Sequence, residues 1–266
     1  MKLTMLGTGN ALVTECYNTC FVIEDNGKCF MVDGGGGNGV LQQLKRAGYN
    51  WMDMRQIFVT HKHVDHLMGI IWMVRLICQY MGAGEYDGEA FIYSHKEVLE
   101  LIQDMAEKLL GKKVTRFIGD RLHLVEIHDG EKKNIIDHEV TFFNIHSTKA
   151  EQYGFCMDLG AGKKLTCCGD EPYKECEKEY AMNSEWLLHE AFCLYGQRDV
   201  FHPYEKSHST VKDACEVAEM LQCKNLVLYH TEDSNMAERK KLYLAEGSEY
   251  YSGNLLIPDD LETIVL

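Results

Sequence analysis

Proline is scarce in this chain, and long runs of basic residues are missing. Only 3 of the 266 residues are proline and 45% are hydrophobic, which is typical of a folded globular protein and excludes a long proline-rich disordered segment. The 27 lysines and arginines are outnumbered by 41 aspartates and glutamates, so the formal charge is −14. Proteins that bind long nucleic acids through their phosphates need a basic face. This balance therefore disfavours a large polyanionic ligand, although a local basic patch is compatible with it.

Hydrophobic runs long enough to span a membrane are also missing. The best candidate, Gly69–Val74, is short and is followed by Arg75. The N-terminal segment Met1–Leu6 has the pattern of a first strand and not of a signal peptide. The 11 cysteines are odd in number and lack a Cys-x-x-Cys pair, which favours reduced thiols over a disulfide framework. We expect a soluble cytoplasmic protein with no membrane partner.

Short β-rich segments alternate with helical segments along the whole chain. The hydrophobic pattern predicts eleven strands between Leu3 and Tyr229 and five helices between Val40 and Ala245. Asn26-Gly27, between the second and third strands, predicts a hairpin turn. No repeat or linker divides the chain, so we predict a single domain over residues 1–266, with two mixed sheets covered by helices.

Metal-ligating side chains are concentrated in one short motif. His61, His63, Asp65 and His66 lie within six residues, directly after the apolar run Ile57–Val59. Imidazole nitrogen and carboxylate oxygen suit a divalent metal such as zinc. In an extended loop, His61 and His63 project to one side, and Asp65 and His66 face a second metal position. The motif therefore predicts two metals. The alternative is a solvated polar loop, which the position between a strand and a helix disfavours.

Three more ligand candidates come directly after predicted apolar strands. They are His146, Asp170 and His230. Each histidine, taken alone, is more typical of a structural residue. Their shared position at strand ends favours one metal cleft to which several strands contribute.

Five segments occur in an order that resembles the metallo-β-lactamase superfamily, and within it the ribonuclease Z branch. They are Phe30-Met31-Val32-Asp33-Gly34, Thr60 to Gly69, His189-Glu190-Ala191-Phe192, Ser207-His208-Ser209-Thr210 and Leu226-Val227-Leu228-Tyr229-His230. The motifs run from about residue 3 to residue 235. The resemblance therefore covers nearly the whole chain.

The resemblance implies an α/β fold, the metallo-β-lactamase-like αβ/βα four-layer sandwich, with two divalent metal ions. Zinc is the expected metal, with manganese or iron as alternatives. The implied ligands are His61, His63 and His146 for one metal, Asp65, His66 and His230 for the other, and Asp170 as the bridge. Asp33 is expected to hold a ligand histidine in its tautomer. Relatives of this branch are usually homodimers.

The implied activity is hydrolysis of phosphodiester bonds, with tRNA 3′ ends as the substrate of the branch. His208, oriented by Glu190, is expected to donate a proton to the leaving group, and Asp65 to orient or deprotonate the nucleophile. The alternative for His208 and Glu190 is a buried pair that only stabilises the fold. One departure is large, because the short segment between His146 and Asp170 leaves no room for the arm that ribonuclease Z typically carries there to grip tRNA. An arm within Tyr80–Glu89 or Glu107–Arg121 is the alternative, but neither segment is long enough or rich enough in glycine and proline to form one. A small-molecule phosphodiesterase or arylsulfatase-like esterase is therefore the alternative, and a non-enzymatic metal-binding protein is a third.

Overall fold

The computed structural model describes residues 1–266 and contains two seven-stranded sheets. The first sheet is built mainly from strands of the N-terminal half. The spatial order of this sheet is β14 (Thr263–Val265), β1 (Lys2–Gly7), β2 (Cys20–Asp25), β3 (Lys28–Val32), β4 (Gln56–Phe58), β5 (Ala90–Ser94) and β6 (Leu122–Glu126). Strands β3 to β6 are mutually parallel. Their carboxyl ends consequently meet at one edge of the sheet.

The second sheet is built from the C-terminal half. Its spatial order is β13 (Asn254–Leu256), β12 (Asn225–Tyr229), β11 (Trp186–Glu190), β10 (Lys163–Cys167), β9 (Tyr153–Gly160), β8 (His138–Asn144) and β7 (Lys132–Ile135). Strands β10 to β13 are parallel, whereas β9 runs antiparallel to both β8 and β10. The carboxyl ends of β8, β10, β11 and β12 therefore lie on one side.

Helices cover the outer face of each sheet. They are α1 (Gly39–Arg46), α2 (Val64–Ala83), α3 (Lys96–Leu110), α4 (Lys112–Thr115), α5 (Lys178–Ala181), α6 (Arg198–Phe201), α7 (Val211–Met220) and α8 (Arg239–Gly247), with 3₁₀ turns at Trp51–Asp53, Glu175–Glu177, Tyr195–Gln197 and Tyr204–Lys206. Helices α1 to α3 bury Leu44, Ile70 and Ile102 against the first sheet. Helix α7 buries Val211 and Ala214 against the second. None of these helices is both long and apolar enough to cross a lipid bilayer.

Aromatic side chains fill the space between the two sheets. The ring centroids of Phe30 and Phe155 lie 5.5 Å apart, and those of Phe58 and Phe142 lie 4.9 Å apart. All four side chains are fully buried. Burial of such rings from both sheets stabilises the face-to-face packing. The predicted αβ/βα four-layer sandwich is confirmed.

Local sequence signals and observed elements agree except at the sheet edges and in the four-residue helices α4, α5 and α6, which the hydrophobic pattern did not predict. Asn26 and Gly27 both have positive φ (49° and 77°), as the predicted hairpin turn requires. The three strands that the hydrophobic pattern did not predict, β7, β13 and β14, are all edge strands with partly exposed residues. An edge strand is held by hydrogen bonds to one neighbour, so its own apolar pattern is weak.

Candidate metal centre

The parallel strands bring distant ligand candidates to one edge of the sandwich. Asp170 and His230 come just after the ends of β10 and β12, and Glu190 ends β11 between them. Asp33 and His61 come after β3 and β4 of the facing sheet. The two sets face each other across the cleft where the sheets meet.

Left-handed turns direct two of these side chains. Asp33 and His230 directly follow their strands, and both have a φ of 58°. Residues other than glycine rarely adopt this conformation, and it is concentrated at functional sites. The sharp change of direction ends the strand and turns the side chain toward the cleft.

One carboxylate oxygen lies at the centre of the cluster. Asp170 Oδ2 is 3.6 Å from His61 Nε2, 3.5 Å from His66 Nε2 and 3.5 Å from His230 Nε2. Asp65 Oδ2 is 3.4 Å from His66 Nε2 and 3.5 Å from His230 Nε2. The Nε2 atoms of His66 and His230 are buried and have no hydrogen-bond partner. Because such unpartnered atoms are costly to bury, this donor set fits divalent cations.

The side chains divide into two groups. His61 Nε2 lies 2.8 Å from Nδ1 of the half-buried His63, so these two nitrogens converge on the side of Asp170. Two groups near Asp170 are close enough to share an ion: His61, His66 and Asp170 form one, and Asp65, His66 and His230 form the other. His66 belongs to both groups and His63 to neither. The predicted extended loop is wrong for Asp65 and His66, which lie in the first turn of α2, and the predicted division differs because His66 is shared between the two groups.

Asp33 fixes the tautomers of two histidines. Its Oδ2 accepts hydrogen bonds of 2.8 Å from His66 Nδ1 and from the Thr60 hydroxyl. Since that hydroxyl donates to Asp33, it accepts from His61 Nδ1, at 2.9 Å. Both rings therefore carry a proton on Nδ1 and direct Nε2, the nitrogen that would bind a metal, toward the cleft. The sequence predicted Asp33 but gave no signal for Thr60.

Burial and charge set the protonation of the ligands. Burial lowers the pKa of His61 well below its usual value. Burial alone would raise the pKa of Asp170, but nearby His61, His66 and His230 outweigh it and hold that pKa well below the usual range. Asp65 behaves in the same way, because His66 and His230 lower its pKa despite burial. The cluster thus offers two carboxylates that remain ionised.

The structure does not bring His146 together with the other ligand candidates. Its side chain is exposed, and it belongs to none of the three histidine and carboxylate groups that lie close enough to share an ion. The residue has a φ of 52°, its backbone nitrogen donates to Asn144 Oδ1, and its carbonyl accepts from Lys174 Nζ. These contacts hold the loop with the ring outside the cluster. The assignment of His146 to a metal stays a prediction of the resemblance.

His208 and Glu190 lie beside the cluster. His208 Nδ1 is 3.6 Å from Glu190 Oε2, and neither atom has a hydrogen-bond partner. The His208 ring stacks on Phe192, with centroids 5.0 Å apart, and lies 5.1 Å from the ring of His230. Glu190 is fully buried, and its other oxygen accepts from the backbone nitrogen of Ser209. The carboxylate is therefore placed to orient the imidazole.

A cleft of about 570 Å³ opens over these residues. It is lined by the predicted site residues His63, Asp65, Asp170, His208 and His230, and by Lys62, Val64 and Phe192 from the same motifs. Residues that no motif indicated also line it: Asn10, Leu12, Lys149 and Lys206. Lys206 Nζ lies 4.9 Å from the centre of the Phe192 ring. Lys62, Lys149 and Lys206 come from three separate segments, and the Lys62 ammonium pairs with Glu97 Oε1. Lys149 and Lys206 are therefore the two lysines of the cleft that no sequence motif indicated.

Comparison with known proteins agrees with this geometry. Curated relatives include a ribonuclease Z of Nitrosopumilus maritimus (strain SCM1), which is 27% identical over 98% of this chain and 99% of its own length. Among solved structures, the metallo-beta-lactamase fold protein YhfI from Bacillus subtilis has a TM-score of 0.80 and 17% identity, covering 99% of this chain and 98% of that chain. Human tRNase Z, short form, has a TM-score of 0.75 and 20% identity, covering 100% of this chain and 99% of that chain.

These similarities confirm the metallo-β-lactamase fold and a distant homology to ribonuclease Z. Together with the histidine and carboxylate cluster, they identify a metal-dependent hydrolase. A family model described as Anti-Pycsar protein Apyc1 matches residues 1–249. The chain therefore belongs to the Anti-Pycsar protein Apyc1 family.

Proposed function

We propose that this chain is a dinuclear metal-dependent phosphodiesterase whose substrate is a small phosphodiester of nucleotide size. The observation that carries the proposal is the convergence of three histidine nitrogens on Asp170 Oδ2, with Asp65 as a second ionised carboxylate. A site with this donor set suits zinc, and also accepts manganese or iron. Two divalent cations held there would acidify a water molecule and neutralise charge on the phosphate oxygens.

The chain's own residues supply the remaining steps. We assign to Asp65 the orientation or deprotonation of the attacking water, because its carboxylate is ionised and lines the cleft. His208 lines the same cleft and is assigned to protonate the departing alkoxide. Glu190 stabilises the protonated imidazole and orients it, since its unpartnered Oε2 faces Nδ1 of that ring.

The cleft supports a compact substrate. Its size is that of a pocket for a small molecule. Lys149 and Lys206 provide positive charge for a phosphate, while Leu12 and Phe192 provide apolar surface for an uncharged group such as a base. This combination is suited to one nucleotide unit.

Precursor tRNA is the second candidate, favoured by the relatives named ribonuclease Z. Two observations count against it. The chain between His146 and Asp170 forms only β9 and β10, and the segments after α2 and α3 are short turns and the single-turn helix α4, so there is no extended arm. The family description is anti-Pycsar protein, and it does not name a tRNA nuclease.

A substrate panel tests the proposal. We expect metal-dependent hydrolysis of bis(p-nitrophenyl) phosphate and of cyclic mononucleotides, and little cleavage of precursor tRNA, because only the small diesters fit the cleft. Asp65→Ala serves as the inactive blank. Efficient cleavage of precursor tRNA with no turnover of small diesters would reverse the substrate assignment. Absence of turnover on every diester, with metal bound, would favour the non-enzymatic alternative.

The proton donor has its own test. His208→Ala should slow hydrolysis of a diester with an alkyl leaving group by about 10²-fold or more, because an alkoxide needs a proton to depart. The effect on a p-nitrophenyl ester should be much smaller, since p-nitrophenolate departs without one. His202→Ala is the control, because that histidine is exposed and lies outside the cleft. Equal losses on both esters would assign His208 to substrate binding instead.

A further inference from the structure

One buried residue at the metal centre has no role in the steps above. Gln152 lies just before β9, and only 1% of its surface is exposed. Its side-chain nitrogen donates a hydrogen bond of 2.5 Å to Asp170 Oδ1 and lies 3.1 Å from His61 Nδ1. Because His61 Nδ1 already donates to the Thr60 hydroxyl, the amide makes its hydrogen bond to Asp170, and Gln152 is not among the residues that line the cleft.

The two oxygens of Asp170 have different surroundings. Oδ2 faces the Nε2 atoms of His61, His66 and His230, whereas Oδ1 accepts from Gln152. A carboxylate that is free to rotate could offer either oxygen, or both, to a single cation. With Oδ1 held by an amide, only Oδ2 is available at the centre of the cluster.

We propose that Gln152 is a positioning residue that fixes the Asp170 carboxylate with Oδ2 facing the ligand histidines, where it would bind the cations. The inference rests on the proposed dinuclear centre and adds a residue that no motif indicated. A neutral amide suits this place, because it donates a hydrogen bond without placing a second charge beside a buried carboxylate. A lysine there would compete with the cations for the carboxylate.

The surrounding backbone fixes the amide from two sides. The Gln152 carbonyl accepts from Ile145 N, and the next residue, Tyr153, donates to the Thr60 carbonyl, both at 3.1 Å. Gly169 leaves room for the side chain, since a Cβ at this residue would lie 3.1 Å from the amide of Gln152. Gln152 is therefore held rigidly between the two sheets, as a residue that fixes a metal ligand must be.

The test is the metal affinity of Gln152→Leu, measured by competition with a chromogenic chelator for zinc. Leucine has a similar volume and no donor, so Asp170 Oδ1 loses its partner, and we expect affinity to fall about 10- to 100-fold. Gln43→Leu is the matched control. Gln43 is also buried, at 5% exposure, but it donates to the Leu6 carbonyl and lies outside the cluster. This variant should lose stability and keep its zinc affinity.

Thermal unfolding of the metal-free proteins separates positioning from folding. Gln152→Leu should unfold no earlier than Gln43→Leu while binding zinc more weakly. If Gln152→Leu does not fold, Gln152→Asn replaces it, because the amide is then one carbon too short to reach Asp170, and the same loss is expected. Zinc affinity within twofold of the unmodified protein in the folded variant would overturn the inference. A different result is that the unmodified protein hydrolyses no diester while Gln152→Leu still binds zinc more weakly. That result would refute the proposed activity and leave the role of Gln152 standing.

Discussion

Asp170→Asn is expected to abolish diester hydrolysis, with a loss of about 10³-fold or more, and to reduce bound metal to less than two ions per chain. Asp170 Oδ2 is the one atom that lies within 3.6 Å of the Nε2 atoms of three histidines. Asparagine keeps the shape of the side chain but removes the negative charge that two cations would share. Metal analysis of the purified protein and turnover of bis(p-nitrophenyl) phosphate measure the two effects.

The control for this variant is Asp104→Asn on α3. Asp104 is exposed and pairs with Lys108 one turn along the same helix, so the change removes the same charge at the surface. Exposed pairs of this kind contribute about 0.5 kcal/mol or less. Activity and metal content should stay unchanged there. Two tightly bound metals and near-normal turnover in Asp170→Asn would show that this carboxylate does not bridge.

Gly69→Ala is expected to destabilise the protein by about 3 kcal/mol or more and to weaken metal binding as well. A Cβ on Gly69 would lie 1.8 Å from the carbonyl oxygen of Gly34, so α2 and the loop after β3 must separate. The same contact carries the hydrogen bonds from Gly34 N to the His66 carbonyl and from Gly69 N to the Gly35 carbonyl. Separation would pull His66 away from Asp33, which fixes its tautomer.

Gly82→Ala is the matched control in the same helix. A Cβ at Gly82 would lie 3.4 Å from the ring of Phe117, which is an ordinary contact. Alanine is a better helix former than glycine, so this variant should be unchanged or up to about 1 kcal/mol more stable. Urea unfolding of both variants measures the difference. Equal stability of the two would mean that the backbones of α2 and the glycine loop can move apart at little cost.

The sequence by itself determined most of the elements and the chemistry of the ligands. The apolar runs before Asp33, His61, Asp170 and His230 predict strands, and the structure has a strand ending within three residues of each. The dense motif from His61 to His66 predicted a cluster of metal ligands, although Asp65 and His66 lie in the first turn of α2 and not in an extended loop. These features depend on residues that are close together in the sequence, so the sequence alone is enough to predict them.

Only the tertiary structure decided which other residues reach the site. Gln152, Lys149, Lys206 and Phe192 approach the ligands because β9, β11 and their loops lie at particular positions in the second sheet. His146 has a ligand's residue type and a ligand's place in the order of motifs, yet its left-handed turn leaves the ring exposed. The physical reason is that the spacing of hydrophobic residues determines whether a segment forms a helix or a strand. The register of the strands and the conformation of the turns determine where each side chain points.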